Sequence, residues 1–251
     1  LISSQGNSGP ASAKLTVTVA FSDCASQVSI PPAECQALVD LYDNTNVAGW
    51  TGTTGWKSDP DPCNWSGVTC SGSNVTELIL NSKNLTGSIP STIGNLTSLI
   101  YLRFENNQLS GSIPSEITNL TNLLHLVLKN NQLSGSIPSA IGNLANLTAL
   151  SLTDNQLSGS IPSTIGNMTS LVESYLGNNQ LCGQIPANIT NLPSITTFRI
   201  GNNYLYTNNP SLITFLNLNA EADWASTQGT MICPTDFPWL MFLPATINNA
   251  Q

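Results

Sequence analysis

The sequence predicts an α/β repeat protein, a solenoid of stacked coils with one parallel strand in each. Three observations predict it. NNQLSGSIPS stands at 106–115 and again at 130–139, and returns at 154–163 with Asp154 for the first Asn. The self-similarity steps by 24 residues, with Val75, Leu99, Leu123, Leu147, Leu171 and Ile195 in equivalent first positions. Each unit also opens on alternating apolar and variable residues, the period of a half-buried strand. A unit this short cannot bury its own apolar residues, so neighbours must stack and share one core.

The shared pattern is LxxLxLxxNxLxGxIPxxIxNLxx, repeated about six times over residues 75–206. The LxLxx piece gives one strand per coil, and stacked coils set these strands about 4.8 Å apart. Asn107, Asn131, Asn155, Asn179 and Asn203 share the ninth position. Their amides both donate and accept, so they can satisfy backbone groups where the chain turns inward. Gly at the thirteenth position permits a tight approach, and Ile-Pro starts the return. The units fray at the ends: Lys83 replaces the ladder Asn, Ser174 a core Leu and Cys182 a Ser.

This pattern resembles the plant-type leucine-rich repeat of polygalacturonase-inhibiting proteins and plant receptor ectodomains. The resemblance implies a curved solenoid whose concave face is the parallel sheet, often with a second short sheet from the LxGxI segment. PCNWSGVTC at 62–70 is similar to the disulfide cap that opens such solenoids, which implies Cys63 paired with Cys70. DWASTQ at 223–228 resembles the segment that succeeds these repeats in secreted bacterial members. Cys182–Cys233 is then expected to tie the C-terminal cap to the last full coil, and elimination leaves Cys24–Cys35.

The flanks divide accordingly. Residues 1–30 form an N-terminal arm in which LISSQGNSGPASA is polar and KLTVTVAF (14–21) alternates like a strand. That strand pairs either within the cap or on the edge of another subunit. Residues 31–74 form the N-terminal cap, with PAECQALVDLYDNTN as a short amphipathic helix and Trp50 and Trp56 covering the first coil. Residues 207–251 form the C-terminal cap and tail, where TNNPSLITFL runs on irregularly. FPWLMFLP (237–244) is expected to pack as part of that cap. At eight residues with internal Pro it is far short of a membrane helix, which needs about 20.

Composition narrows the function. Charged residues are 8% of the chain, against roughly 25% in an average soluble domain. With six Lys and Arg and a net charge of −8, the chain offers no basic track for a nucleic-acid backbone. The six cysteines include no CxxC pair, and the single His125 has no metal-ligand spacing beside it. Structural disulfides therefore place the chain in an oxidising compartment, secreted or on the cell surface. The chain begins at Leu1 rather than Met, as after removal of a leader or shortening. Eight Asn-x-Ser/Thr sequons occur, which are glycan acceptors in a eukaryotic secretory path and also ordinary turn chemistry of the repeat.

The residues between the buried leucines vary from coil to coil and must project from the concave sheet. Tyr101, Arg103, Glu105, His125, Lys129, Tyr175 and Arg199 fall there, residue types that make binding hot spots. They are the expected site for a protein or glycan ligand, in a recognition or adhesion module without cofactor. Carboxylates of Glu77, Glu105 and Glu173 are the expected neighbours of His125, but no nucleophile motif accompanies it and no enzyme is expected. Two other readings stand beside this one. Homo-oligomeric assembly through 14–21 and 237–244 would make the chain a subunit of a filament or surface layer. The regular Ser and Thr rows, such as Ser88, Ser112, Ser136 and Ser160, resemble the faces of ice-binding repeat proteins.

Overall fold

A computed structural model describes residues 23–25, 29–220 and 224–229. The expected strand at 14–21, the segment 237–244 and Cys233 lie outside the described residues. The chain opens on α1 (Pro32–Asn44) and closes on α2 (Pro210–Asn219). Between them run β1 (Val68–Ser71), β2 (Asn74–Ile79), β3 (Thr86–Ser88), β4 (Tyr101–Arg103), β5 (Gln108–Ser112), β6 (His125–Val127) and β7 (Gln132–Ser136). They continue as β8 (Ala149–Ser151), β9 (Gln156–Gly159), β10 (Glu173–Tyr175), β11 (Gln180–Gln184), β12 (Thr197–Arg199) and β13 (Tyr204–Tyr206).

Each coil contributes a strand to each of two sheets, and a 3₁₀ turn such as Ser115–Asn119 closes the return. The front sheet has the order β1-β2-β4-β6-β8-β10-β12, parallel except for the β1–β2 hairpin at its start. Its register steps by one full repeat: Glu77 pairs with Tyr101, Tyr101 with His125, and His125 with Ala149. The back sheet has the order β13-β11-β9-β7-β5-β3 and a different register. There Ser88 pairs with Ser110, Ser112 with Ser134 and Ser136 with Ser158, so each 24-residue column of serines slides by two residues per coil.

Between the sheets lies a continuous core. In one coil Leu123, Leu126, Leu128, Leu133, Ile137 and Leu144 are all 2% exposed or less. Truncating any one of them to Ala costs about 2–5 kcal/mol by the usual cavity cost. Ser174 occupies the position of a core leucine between Leu150 and Phe198. Its partner on the next strand is the full-sized Phe198, and both are 0% exposed.

The asparagine ladder is the second cohesive element. Asn179 Oδ1 accepts from the Leu157 amide at 3.0 Å, while Nδ2 donates to the carbonyls of Leu152 (3.0 Å) and Leu176 (3.1 Å). Asn107, Asn131, Asn155 and Asn203 repeat this arrangement in their own coils. The residue before each rung carries positive φ, as at Asn106 (58°) and Asn178 (53°). Asn and Asp tolerate that left-handed conformation better than other side chains, which accounts for the first Asn of each NN pair and for Asp154.

Both caps complete the core. In α1, Pro32 starts the helix and Cys35, Leu38, Val39 and Leu41 are buried. Buried Glu34 ties that helix to the first strand, its carboxylate accepting from Asn74 Nδ2 (2.8 Å) and the Val75 amide (2.7 Å). Trp50 and Trp56 pack together at 4.9 Å over the first coil, and Trp65 joins them at 5.0 Å from Trp56. Disulfides Cys24–Cys35 and Cys63–Cys70 form as expected. Cys182 is buried and disulfide-bonded.

At the other end the expectation of an irregular TNNPSLITFL is corrected, since α2 begins within it at Pro210. Asn209 caps that helix by accepting from the amides of Ser211 and Leu212, and Pro210 supplies a first-turn residue that needs no amide partner. Leu212 and Leu216, one turn apart, are its buried face. Beyond it, Gln228 ends the ladder: Oε1 accepts from the Leu205 amide (3.0 Å) and Nε2 donates to the Ile200 carbonyl (3.1 Å).

Candidate functional site

Alternation along the short front strands buries Leu102, Leu126, Leu150 and Phe198 and turns their neighbours outward. Arg103, Glu105, His125, Lys129 and Tyr175 line one open concavity of about 460 Å³. Its floor is made by Val127, Ala149, Ser151 and Thr153. The depression exists because the outward positions Ala149, Ser151 and Thr153 carry small side chains between His125 and Lys129 on one side and Glu173 and Tyr175 on the other.

The two outer members of the expected set stand elsewhere. Tyr101 backs the wall: its ring lies 5.0 Å from the His125 ring, edge to face, and 5.6 Å from the Arg103 guanidinium. Arg199 lines a second hollow of about 330 Å³, which shares Thr153 and Tyr175 with the first. Gly177 and Gly201 keep this second hollow open by offering no side chain. The two hollows thus form one trough across the strands.

Two close contacts order the polar side chains of the trough. Lys129 Nζ lies 3.1 Å from Glu105 Oε2, and Asn81 Nδ2 donates to Glu105 Oε1 at 2.9 Å. Arg103 Nη2 is 2.7 Å from His125 Nδ1. A guanidinium only donates, so Nδ1 accepts and the ring proton sits on Nε2. Of the three carboxylates expected beside His125, Glu105 and Glu173 line the same concavity and Glu173 acts on the ring through space, while the hydrogen bond of the ring comes from Arg103. Burial first and the Arg103 charge second hold its pKa below the ordinary 6.5, with Glu173 opposing them.

Glu173, Ala149 and Ser151 are site residues that the variable-position reading did not select. The signal was available in the columns, where Ala149, Ser151 and Thr153 are small between Tyr101–His125 on one side and Glu173–Tyr175 on the other. Among the described residues no cluster of His, Cys, Asp and Glu could hold a metal ion. None of the described helices is long and apolar enough to cross a membrane. The surface is suited to holding a chain of mixed polarity by shape and charge.

Comparison with known proteins places the fold. The sequence pattern of the leucine-rich repeat region matches residues 78–208, and that of the leucine rich repeat N-terminal domain matches 31–71. Receptor-like protein 36 of Arabidopsis thaliana is 40% identical over 79 residues, covering 32% of this chain and 10% of that protein. Receptor-like protein kinase HSL1 of the same plant is 49% identical over 55 residues, 21% of this chain and 6% of that protein. The chain thus spans a tenth or less of these relatives' length. Among solved structures, the BIR2 ectodomain of Arabidopsis thaliana is 31% identical with a TM-score of 0.61, over 70% of this chain and 95% of that one. The Arabidopsis receptor kinase HAESA, in complex with the peptide hormone IDA and the co-receptor SERK1, is 32% identical with a TM-score of 0.66, over 74% of this chain and 32% of that one.

Proposed function

Because the chain belongs to the leucine-rich-repeat family, we propose that it is a non-enzymatic recognition module of the cell exterior, binding a protein or peptide on its concave sheet. The observation that carries this is the trough centred on β8. A scaffold under packing constraint alone has no reason to gather small residues in one stretch of its front face and ring them with Tyr, Arg and His. The HAESA structure, with its bound peptide hormone, supports a peptide or protein over a glycan as the partner class. Disulfides at the N-terminal cap support an oxidising, extracellular setting.

The hydroxyl rows support ice binding less well. The back-sheet register slides each serine column by two residues per coil, so the rows are sheared rather than straight. Assembly through 14–21 and 237–244 draws no support from the described residues.

Panning a phage-displayed peptide library against the protein, with counter-panning on Ala149→Trp, tests the concave-face reading. The indole fills the floor of the trough from a half-buried position. Clones should bind the wild type and not the variant, with both proteins melting alike. Equal recovery on the two proteins sinks the reading.

A further inference from the structure

The front face differs in charge from the rest of the molecule. It carries Arg103, Lys129 and Arg199, three of the six cations and both arginines of the chain. Against them stand Glu77, Glu105 and Glu173, three of the fourteen acids. The face is therefore neutral, and the whole net charge of −8 lies elsewhere.

Neutrality here does not mean that every charge is matched. Lys129 and Glu105 satisfy each other at 3.1 Å. The hydrogen bond that Arg103 makes goes to an uncharged imidazole, and its Nε is buried with no partner. Glu173 is exposed on β10 and makes no ion pair among the described residues. Within the first hollow, one uncompensated cation thus stands at the β4 wall and one uncompensated anion at the β10 wall.

From β4 to β10 the front sheet takes three strand steps, which is about 14 Å. The floor between them is Val127, Ala149 and Ser151, small and with no charge. An extended peptide rises about 3.3 Å per residue, so about four residues span the gap. Thr153 and Tyr175 also line that path, and each carries a hydroxyl able to bond a peptide's amides.

Building on the concave-face reading, we propose that the ligand is an extended peptide of opposite end charges, with a carboxylate on Arg103 and an ammonium or guanidinium on Glu173. The two ligand charges are separated by about three or four residues. A partner of uniform charge that spans from Arg103 to Glu173 meets repulsion at one of them whichever way it lies. This places discrimination in the two unmatched charges and leaves the Lys129–Glu105 pair as wall.

Blocked synthetic peptides, acetylated and amidated to remove terminal charges, make the test. Each carries Glu and Arg, two Glu or two Arg on an alanine-valine backbone, at separations from none to about six residues. Binding is followed by fluorescence polarisation. Mixed peptides at the predicted spacing should bind about tenfold tighter than either uniform set, a difference ordinary for one lost charge pair. Arg103→Glu should switch the preference to the two-Arg peptides, and Glu173→Lys should switch it to the two-Glu peptides. Because Glu173 is exposed, the second variant keeps the test sound if the first folds poorly. A preference for mixed peptides that survives both substitutions overturns the proposed polarity, as does failure of every peptide to bind. The concave-face reading fails separately if the peptides bind and Ala149→Trp leaves them bound.

Discussion

Arg103 Nη2 stands 2.7 Å from His125 Nδ1, so the single histidine of the chain accepts a hydrogen bond from a cation. Protonating Nδ1 would end that bond and set two positive groups against each other. Burial and Arg103 together keep the native pKa below 6.5, whereas the unfolded chain takes up its proton near that value. The unfolded state therefore binds more protons as pH falls through this window. Stability from His125 is complete above about pH 6.5, declines below it, and is fully lost beneath the native pKa. Urea midpoints measured across this range should fall more for the wild type than for His125→Gln, and equal slopes would contradict it.

The two asparagines of each NN pair should respond differently to substitution. Asn179 is 8% exposed and meets one amide and three carbonyls, so Asn179→Ala leaves several backbone groups without partners. A loss of about 3 kcal/mol is expected. Asn178 is exposed and holds a left-handed φ of 53°, with Nδ2 donating to Asp154 at 2.6 Å. Asn178→Ala should cost about 1 kcal/mol, from the conformation, and Asn178→Gly close to nothing. Chemical denaturation of the three variants gives the comparison.

Ser174 is fully buried and its Oγ has no hydrogen-bond partner. Removing the hydroxyl removes a desolvated polar group and changes the volume little. Ser174→Ala should raise stability by about 1 kcal/mol, and a lowered melting temperature would refute the assignment.

The sequons separate by their surroundings. Asn95, Asn119 and Asn167 are exposed and each ends a 3₁₀ turn on the side away from the front sheet. Asn74 opens β2, and its Nδ2 donates to buried Glu34 of α1. After secretion from a eukaryotic host, glycopeptide mapping should find sugars on the first three and none on folded protein at Asn74. Occupancy at Asn74 in the folded fraction would count against this placement.

Much of this architecture is legible because stacking imposes a period. The 24-residue step, the Leu and Ile positions and the ladder asparagines all repeat, so each appears several times in the sequence. What occurs once is harder to read. α2 carries a cap and two buried leucines only one turn apart, a signal too short to stand out beside the repeats. Gln228 takes the role of an asparagine from outside the period. In the trough the large, variable side chains were visible as a surface, and the small ones that form its floor were not. A depression is defined by what its neighbours have and it lacks, so Ala149 and Ser151 acquire meaning only when Tyr101 and Tyr175 are placed around them. The Arg103–His125 contact depends on side-chain direction across two strands, which residue order leaves open.

The front-sheet register advances by one strand for every repeat, and each ladder rung contacts only the coil before it and its own. Copy number is therefore a ruler. A duplication of residues 131–154 would supply its own rung and a second Ala, Ser and Thr for the floor. It would also move the two walls of the trough apart by one strand spacing, about 4.8 Å, without redesign of either wall. Unequal recombination between near-identical DNA segments would thus lengthen the trough in whole strand steps, while Arg103 and Glu173 at its two walls stay as they were.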